Sequence, residues 1–199
     1  MAYKRLLFYG GAFDPPHEGH RKLLEAAIDA TDPDITLIVP TGVSPHKQNS
    51  RTSFEHRMQM SRLAFGDLDG VRVSNTDVHR GKSYSIRTIK RLHKKYPEAQ
   101  IYMLIGADML LSFKRWYRYK RIMSRVILVA GCRNASDEER LREAAGSLEK
   151  EGAKVILLSF SSFDASSTEI RKVGAVEAQR KGMISERVAE YILGRNLYT

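Results

Sequence analysis

Short runs in which nearly every position is apolar punctuate this chain, and between them apolar residues recur every three or four positions. Leu6–Tyr9 is the first run, and Leu23, Leu24, Ala27 and Ile28 set the first helical period. The runs predict strands over Arg5–Tyr9, Ile35–Val39, Val71–Ser74, Gln100–Ile105, Val126–Ala130 and Val155–Leu158. The periods predict helices over His17–Ala30, Ser53–Ala64, Tyr84–Lys95, Asp137–Lys150, Ser167–Val173 and Ser185–Leu193, with short pieces from Ala107 and over Tyr117–Met123. Thr52-x-x-Glu55 and Ser136-x-x-Glu139 have the spacing of capping boxes. Buried strands alternating with helices make an α/β fold: one doubly wound parallel sheet with right-handed crossovers, and a small helical C-terminal end. Ligands of such sheets sit beyond the carboxyl ends of the strands. Gly10, Pro40, Gly106 and Gly131 all stand just after predicted strands, and the polar Thr41–Thr52 segment reads as a substrate flap.

Length and composition narrow the picture further. A chain of 199 residues supports one sizeable core, so a single domain over 1–199 is expected, with the helices from about 166 packed on it. No apolar stretch reaches membrane-spanning length and no signal peptide is read, so no membrane partner and a cytoplasmic setting are expected. The single cysteine, Cys132, excludes an internal disulfide and a zinc site of paired cysteines. The net charge of +10 favours anionic partners. Its densest run is Lys114–Arg121, where aromatics interleave with basic residues. This run reads as a solvated helix face; a single nucleic-acid strand, or a pocket wall around Trp116, are the alternatives.

Chemistry concentrates near the amino terminus, in Gly10-Gly11-Ala12-Phe13-Asp14-Pro15-Pro16-His17-Glu18-Gly19-His20. A strand stops, two glycines bare the backbone, and a helix opens with two histidines on one face. A helix start offers free N–H groups and a positive dipole end, so the segment reads as a phosphate cradle with two imidazole donors. Toward the other end, Ser166-Ser167-Thr168 lead into a helix that carries Arg171 one turn on. Hydroxyls, backbone N–H groups and a guanidinium together suit an anion.

The first motif, Gly-x-Phe-Asp-Pro-x-His-x-Gly-His, resembles the signature of the cytidylyl- and adenylyltransferase superfamily, and Ser-Ser-Thr-x-Ile-Arg resembles its second signature. Further pieces narrow the resemblance to the bacterial nicotinate-mononucleotide adenylyltransferase family. They are Pro45-His46-Lys47, Ser53-Phe-x-x-Arg57, Ser83-Tyr84-Ser85 with Thr88, Ile105-Gly106-Ala107-Asp108, Trp116-Tyr117, Arg133 and Leu197-Tyr198. The likeness runs from residue 5 to 198. Ala12, Ser44 and Ser85 depart from the Thr, Pro and Thr usual in the family, and none of these removes a charged or imidazole group.

The resemblance implies a Rossmann-like nucleotidyltransferase fold and transfer of AMP from ATP to the 5′-phosphate of nicotinate mononucleotide, releasing pyrophosphate. It implies that His17, His20, Lys47 and Arg171 carry the catalysis. His17 and His20 would meet the ATP phosphates, with His20 at the α-phosphate and Lys47 and Arg171 at the β- and γ-phosphates. Gly10, Gly11, Ala12, Phe13, Gly106, Ser167 and Thr168 would complete the ATP site, and Asp108 would accept from the ribose. Ser85 would hold the nicotinate carboxylate, Trp116 would stack on the pyridine ring, and Arg133 would meet a phosphate. Mg²⁺ is expected with ATP, held by phosphates and water, so no protein metal ligand is implied. The acceptor phosphate is itself the nucleophile, which suits a chain with no defensible Ser-His-Asp arrangement. Nicotinamide mononucleotide or phosphopantetheine as acceptor, or a basic nucleic-acid-binding protein on the same fold, are the alternatives. The phosphopantetheine family lacks the first histidine, and both phosphate motifs here are intact, so no nucleic-acid partner is expected. A homo-oligomer is compatible with all of this.

Overall fold

The computed structural model describes residues 3–42, 52–77, 83–131, 135–159 and 165–199. Among them, β1 (Arg5–Gly11), β2 (Ile35–Pro40), β3 (Val71–Val73), β4 (Gln100–Gly106), β5 (Ile127–Gly131) and β6 (Lys154–Leu158) form one parallel sheet in the order β3-β2-β1-β4-β5-β6. No helix among the described residues is long and apolar enough to cross a membrane. The strands are nearly continuous apolar runs because both faces of the sheet are covered. In β1, Leu6 and Phe8 enter the core on one face while Leu7 and Tyr9 enter the core on the other.

The first of those cores is closed by α3 (Ser85–Lys95), α4 (Ala107–Leu111), α5 (Tyr119–Met123) and α6 (Ala135–Glu149), through residues such as Ile89, Leu110, Ile122 and Leu141. The second is closed by α1 (Glu18–Thr31), α2 (Phe54–Phe65), α7 (Ser167–Val173), α8 (Ala175–Arg180) and α9 (Glu186–Gly194), through Leu24, Met60, Ile170, Ala178 and Val188. The chain leaves β1 outward through β2 and β3, then returns to lay β4 on the other side of β1. The strand order therefore reverses between β1 and β4, the place where folds of this kind form a ligand crevice beyond the carboxyl ends of the strands. Gly11 and Gly106 are the last residues of those two strands.

Some expected boundaries shift. Gly10, Pro40, Gly106 and Gly131 lie inside the strand ends rather than after them. The N-cap of α2 is Ser53, whose hydroxyl accepts from His56 N–H at 3.3 Å, whereas Thr52 spends its hydroxyl on Asp14. Helix α6 begins at Ala135, ahead of the expected cap at Ser136. Helix α8 was not expected, because its six residues are too few to show a period. The basic run read as one helix face is split: a 3-10 turn over Phe113–Arg115 precedes α5, which begins at Tyr119 rather than Tyr117.

Candidate active site

The cradle begins where β1 runs out. Gly11 has no room for a side chain, since a Cβ there would sit 2.8 Å from the Phe13 ring. Phe13 is buried with φ at +49°, and its ring meets Tyr9, His20 and Phe65 edge-on at 5.2 to 5.6 Å. Asp14 follows, joined to Pro15 by a cis peptide bond. His17 is the N-cap of α1 rather than its first residue, and it is buried.

The two imidazoles lie face to face, with ring centroids 3.6 Å apart and planes inclined by 30°. The backbone N–H of His17 donates to Nδ1 of His20 at 3.2 Å. A backbone N–H can only donate, so Nδ1 of a neutral His20 is bare and its proton sits on Nε2. The protein thus fixes which nitrogen of His20 can donate. The helix start itself is less open than expected, because Glu18 N–H is taken by the Met183 carbonyl at 2.9 Å. The donor capacity of the cradle shifts toward the imidazoles and the second motif.

That second motif arrives from the far end of the chain. Ser166 caps α7 by accepting from Glu169 N–H at 3.1 Å. Ser167 donates its hydroxyl to the Pro15 carbonyl at 2.9 Å. Arg171 donates one nitrogen to the Asp14 carbonyl at 2.6 Å and another to the Thr168 hydroxyl at 3.1 Å. The Ser167 proton therefore orders the first loop, while Thr168 stays exposed with its proton undirected by that bond. The two motifs converge on one loop above the end of β1.

With this geometry in place, comparison with known proteins is decisive. A family model described as Cytidylyltransferase-like matches residues 8–173. A "Probable nicotinate-nucleotide adenylyltransferase" of Gemmatimonas aurantiaca is 34% identical over 197 residues, covering 98% of this chain and 92% of the relative. One of the same name from Gloeobacter violaceus is 35% identical over 198 residues, covering 98% and 96%. The chain belongs to the nicotinate-nucleotide adenylyltransferase family. The fold agrees: a solved Plasmodium falciparum nicotinic acid mononucleotide adenylyltransferase complexed with NaAD superposes with a TM-score of 0.81 at 18% identity, covering 98% of this chain and 97% of that one.

Other features of this adenylyltransferase follow from the same frame. Gly106 is the N-cap of α4, and nothing lies within 4 Å of where a Cβ would stand, so the space above it is open. Asp108 is the second residue of α4 and exposed, so it is not the cap of that helix. Ser85 opens α3 and is half-buried. Trp116 is half-buried too, its ring 5.3 Å from Phe113 and packed on the core. The indole leans on Phe113 while the basic side chains beside it, Lys114, Arg115 and Arg118, are exposed. Tyr84 and Tyr117, the neighbours of Ser85 and Trp116, stack at 4.7 Å, so both expected substrate residues share one edge of the molecule. Lys47, Arg133 and residues 43–51 of the expected flap lie outside the described residues.

Several residues matter more than the sequence reading allowed. Arg57, 2% exposed, donates to the carbonyls of Ala12 at 2.9 Å, Thr41 at 2.7 Å and Gly42 at 3.2 Å, tying the loop after β1 to the loop after β2. Burial pushes its guanidinium pKa down, and the charge of Asp14 pushes back. Asp77, also buried, accepts from Gly42 N–H at 3.1 Å and from the Thr88 hydroxyl at 2.7 Å. The signal for Arg57 was its place in Ser53-Phe-x-x-Arg57, which assigned it no role. Among the described residues no three His, Cys, Asp or Glu side chains gather as a metal-holding group.

Proposed function

We propose that this adenylyltransferase joins AMP from Mg²⁺-bound ATP to the 5′-phosphate of nicotinate mononucleotide. An oxygen of the mononucleotide phosphate attacks the α-phosphorus of ATP, the bond to the β-phosphate oxygen breaks, and pyrophosphate leaves. The observation that carries this reading is the meeting of His17 and His20 with Ser167, Thr168 and Arg171 on one loop at the β1–β4 crevice.

Such a transfer needs positioning and charge stabilisation more than a protein nucleophile. His20, with its proton directed to Nε2, donates to the α-phosphate as negative charge builds there, and His17 braces it from the stacked side. Arg171 and Thr168 take the outer phosphates, with Lys47 as their partner. Gly10, Gly11, Ala12 and Phe13 form the floor, and the bare backbone at Gly106 lets ATP approach closely, with Asp108 on its ribose. Ser85 and Trp116 hold the pyridine end of the acceptor, and Arg133 its phosphate. Mg²⁺ enters as part of the nucleotide substrate, which agrees with a cradle built from cationic, imidazole and hydroxyl groups.

The test is direct. Purified protein with ATP, Mg²⁺ and, separately, nicotinate and nicotinamide mononucleotide is assayed for pyrophosphate release and dinucleotide formation. Turnover with the acid is the expected outcome. No product with the acid sinks the reading, and faster turnover with the amide reassigns the acceptor.

A further inference from the structure

One carboxylate in the cradle loop binds neither metal nor phosphate in the scheme above, yet two hydroxyls from distant parts of the chain converge on it. Asp14 is 6% exposed. Its Oδ1 accepts from the Thr52 hydroxyl at 2.7 Å and from the Tyr198 hydroxyl at 2.7 Å. Its main-chain carbonyl accepts from Arg171. The same loop is held one residue pair earlier, where Arg57 takes the Ala12 carbonyl. Asp14 stands three residues before His17, so wherever its carboxylate is pinned, the paired imidazoles follow.

Tyr198 reaches this position by an unusual backbone path. Past the end of α9 the chain turns through Asn196 and Tyr198, both with positive φ, at +48° and +63°. Non-glycine side chains avoid that region unless the surroundings hold them there, and such strain gathers at functional sites. What holds Tyr198 is its hydroxyl on Asp14 and its ring against the core that contains Met60. The Tyr191 hydroxyl, 2.9 Å from Nδ1 of His56, ties α9 to α2 just upstream. Burial raises the Tyr198 phenol well above its ordinary pKa, so it stays protonated and serves as a donor.

Resting on the function proposed above, we infer that Tyr198 is a positioning residue for adenylyl transfer: with Thr52, its hydroxyl clamps the Asp14 carboxylate and sets the loop that aims His17 and His20 at ATP. The phenol touches no reacting atom. It acts through the placement of the cradle, where small displacements cost rate disproportionately.

Tyr198→Phe removes the hydroxyl and keeps the ring, so it separates placement from packing. Three quantities are read: Tm, kcat with KM for each substrate, and the affinity of a non-hydrolysable ATP analogue. The expected result is a fall in kcat and in analogue affinity of about five-fold or more, with KM for the mononucleotide unchanged and Tm within about 2 °C of the parent. Thr52→Val should act in the same direction, and in an Asp14→Ala background Tyr198→Phe should add nothing, because Asp14→Ala already removes the acceptor of that bond. Parental kcat and analogue affinity in Tyr198→Phe overturn the inference. So does a loss of activity that merely tracks the unfolded fraction, or full additivity with Asp14→Ala. Absence of turnover in the parent with any mononucleotide sinks the functional reading instead, and the analogue affinities still decide on the clamp.

Discussion

His20 owes its usefulness to a bond made behind it. With Nδ1 occupied by the His17 N–H, the neutral ring has one proton to give, on Nε2. His20→Ala should lower kcat by about 10² or more with little change in Tm, because in the proposed function it removes an interaction that strengthens in the transition state. A kcat near the parental value would show that the ring is structural. Arg57 teaches the opposite lesson. Replacing it by Met leaves three buried carbonyls without a donor, so Arg57→Met should cost at least about 3 kcal/mol by urea unfolding. Stability within 1 kcal/mol, roughly, would mean that water replaces the guanidinium without loss. The importance of Arg57 was hard to read from its residue type, since a charged residue in a helix is ordinarily on the solvent face. Only the fold shows two loops emptying their carbonyls onto it.

At the scale of elements, the strands were the most legible feature. Runs such as Ile35–Val39 and Ile101–Ile105 are apolar at nearly every position, which only a strand covered on both faces requires. Short elements were harder. Helix α8 has six residues, and Ser53 rather than Thr52 caps α2 because the fold recruits Thr52 to Asp14. Helix α7 is also short, at seven residues, yet it presents Thr168 and Arg171 to the cradle. So short a helix depends on its cap and its neighbours more than on propensity. Ser166→Ala, which deletes the cap, should cost about 1 kcal/mol of stability. It should also raise KM for ATP several-fold, and Ser166→Asp should restore both. An unchanged KM for ATP would separate the order of α7 from nucleotide binding.

Across the whole molecule, charge is unevenly spread. Residues 83–125 hold eleven of the 33 Lys and Arg but only two of the 23 Asp and Glu, a net +9 out of the chain's +10, and all eleven are exposed. Part of this charge flanks Ser85 and Trp116, where an anionic acceptor is expected: Arg87 lies over the Tyr84 ring and Arg118 over the Tyr117 ring. Replacing Arg87 and Arg118 together by Gln should raise KM for the mononucleotide at low salt and flatten its dependence on ionic strength, leaving kcat in place. An unaltered salt dependence would mean that the field plays no part in substrate capture. Composition announced the excess charge but could not locate it, just as two phosphate motifs could be recognised without showing that they meet. Arg171 and the Asp14 carbonyl it grips are 157 residues apart in sequence. A nascent chain paused on the ribosome before α7 has emerged holds all six strand segments but neither Thr168 nor Arg171, so in the function proposed above its nucleotide site lacks one wall. On that reading ATP can stabilise only molecules whose translation has passed α7.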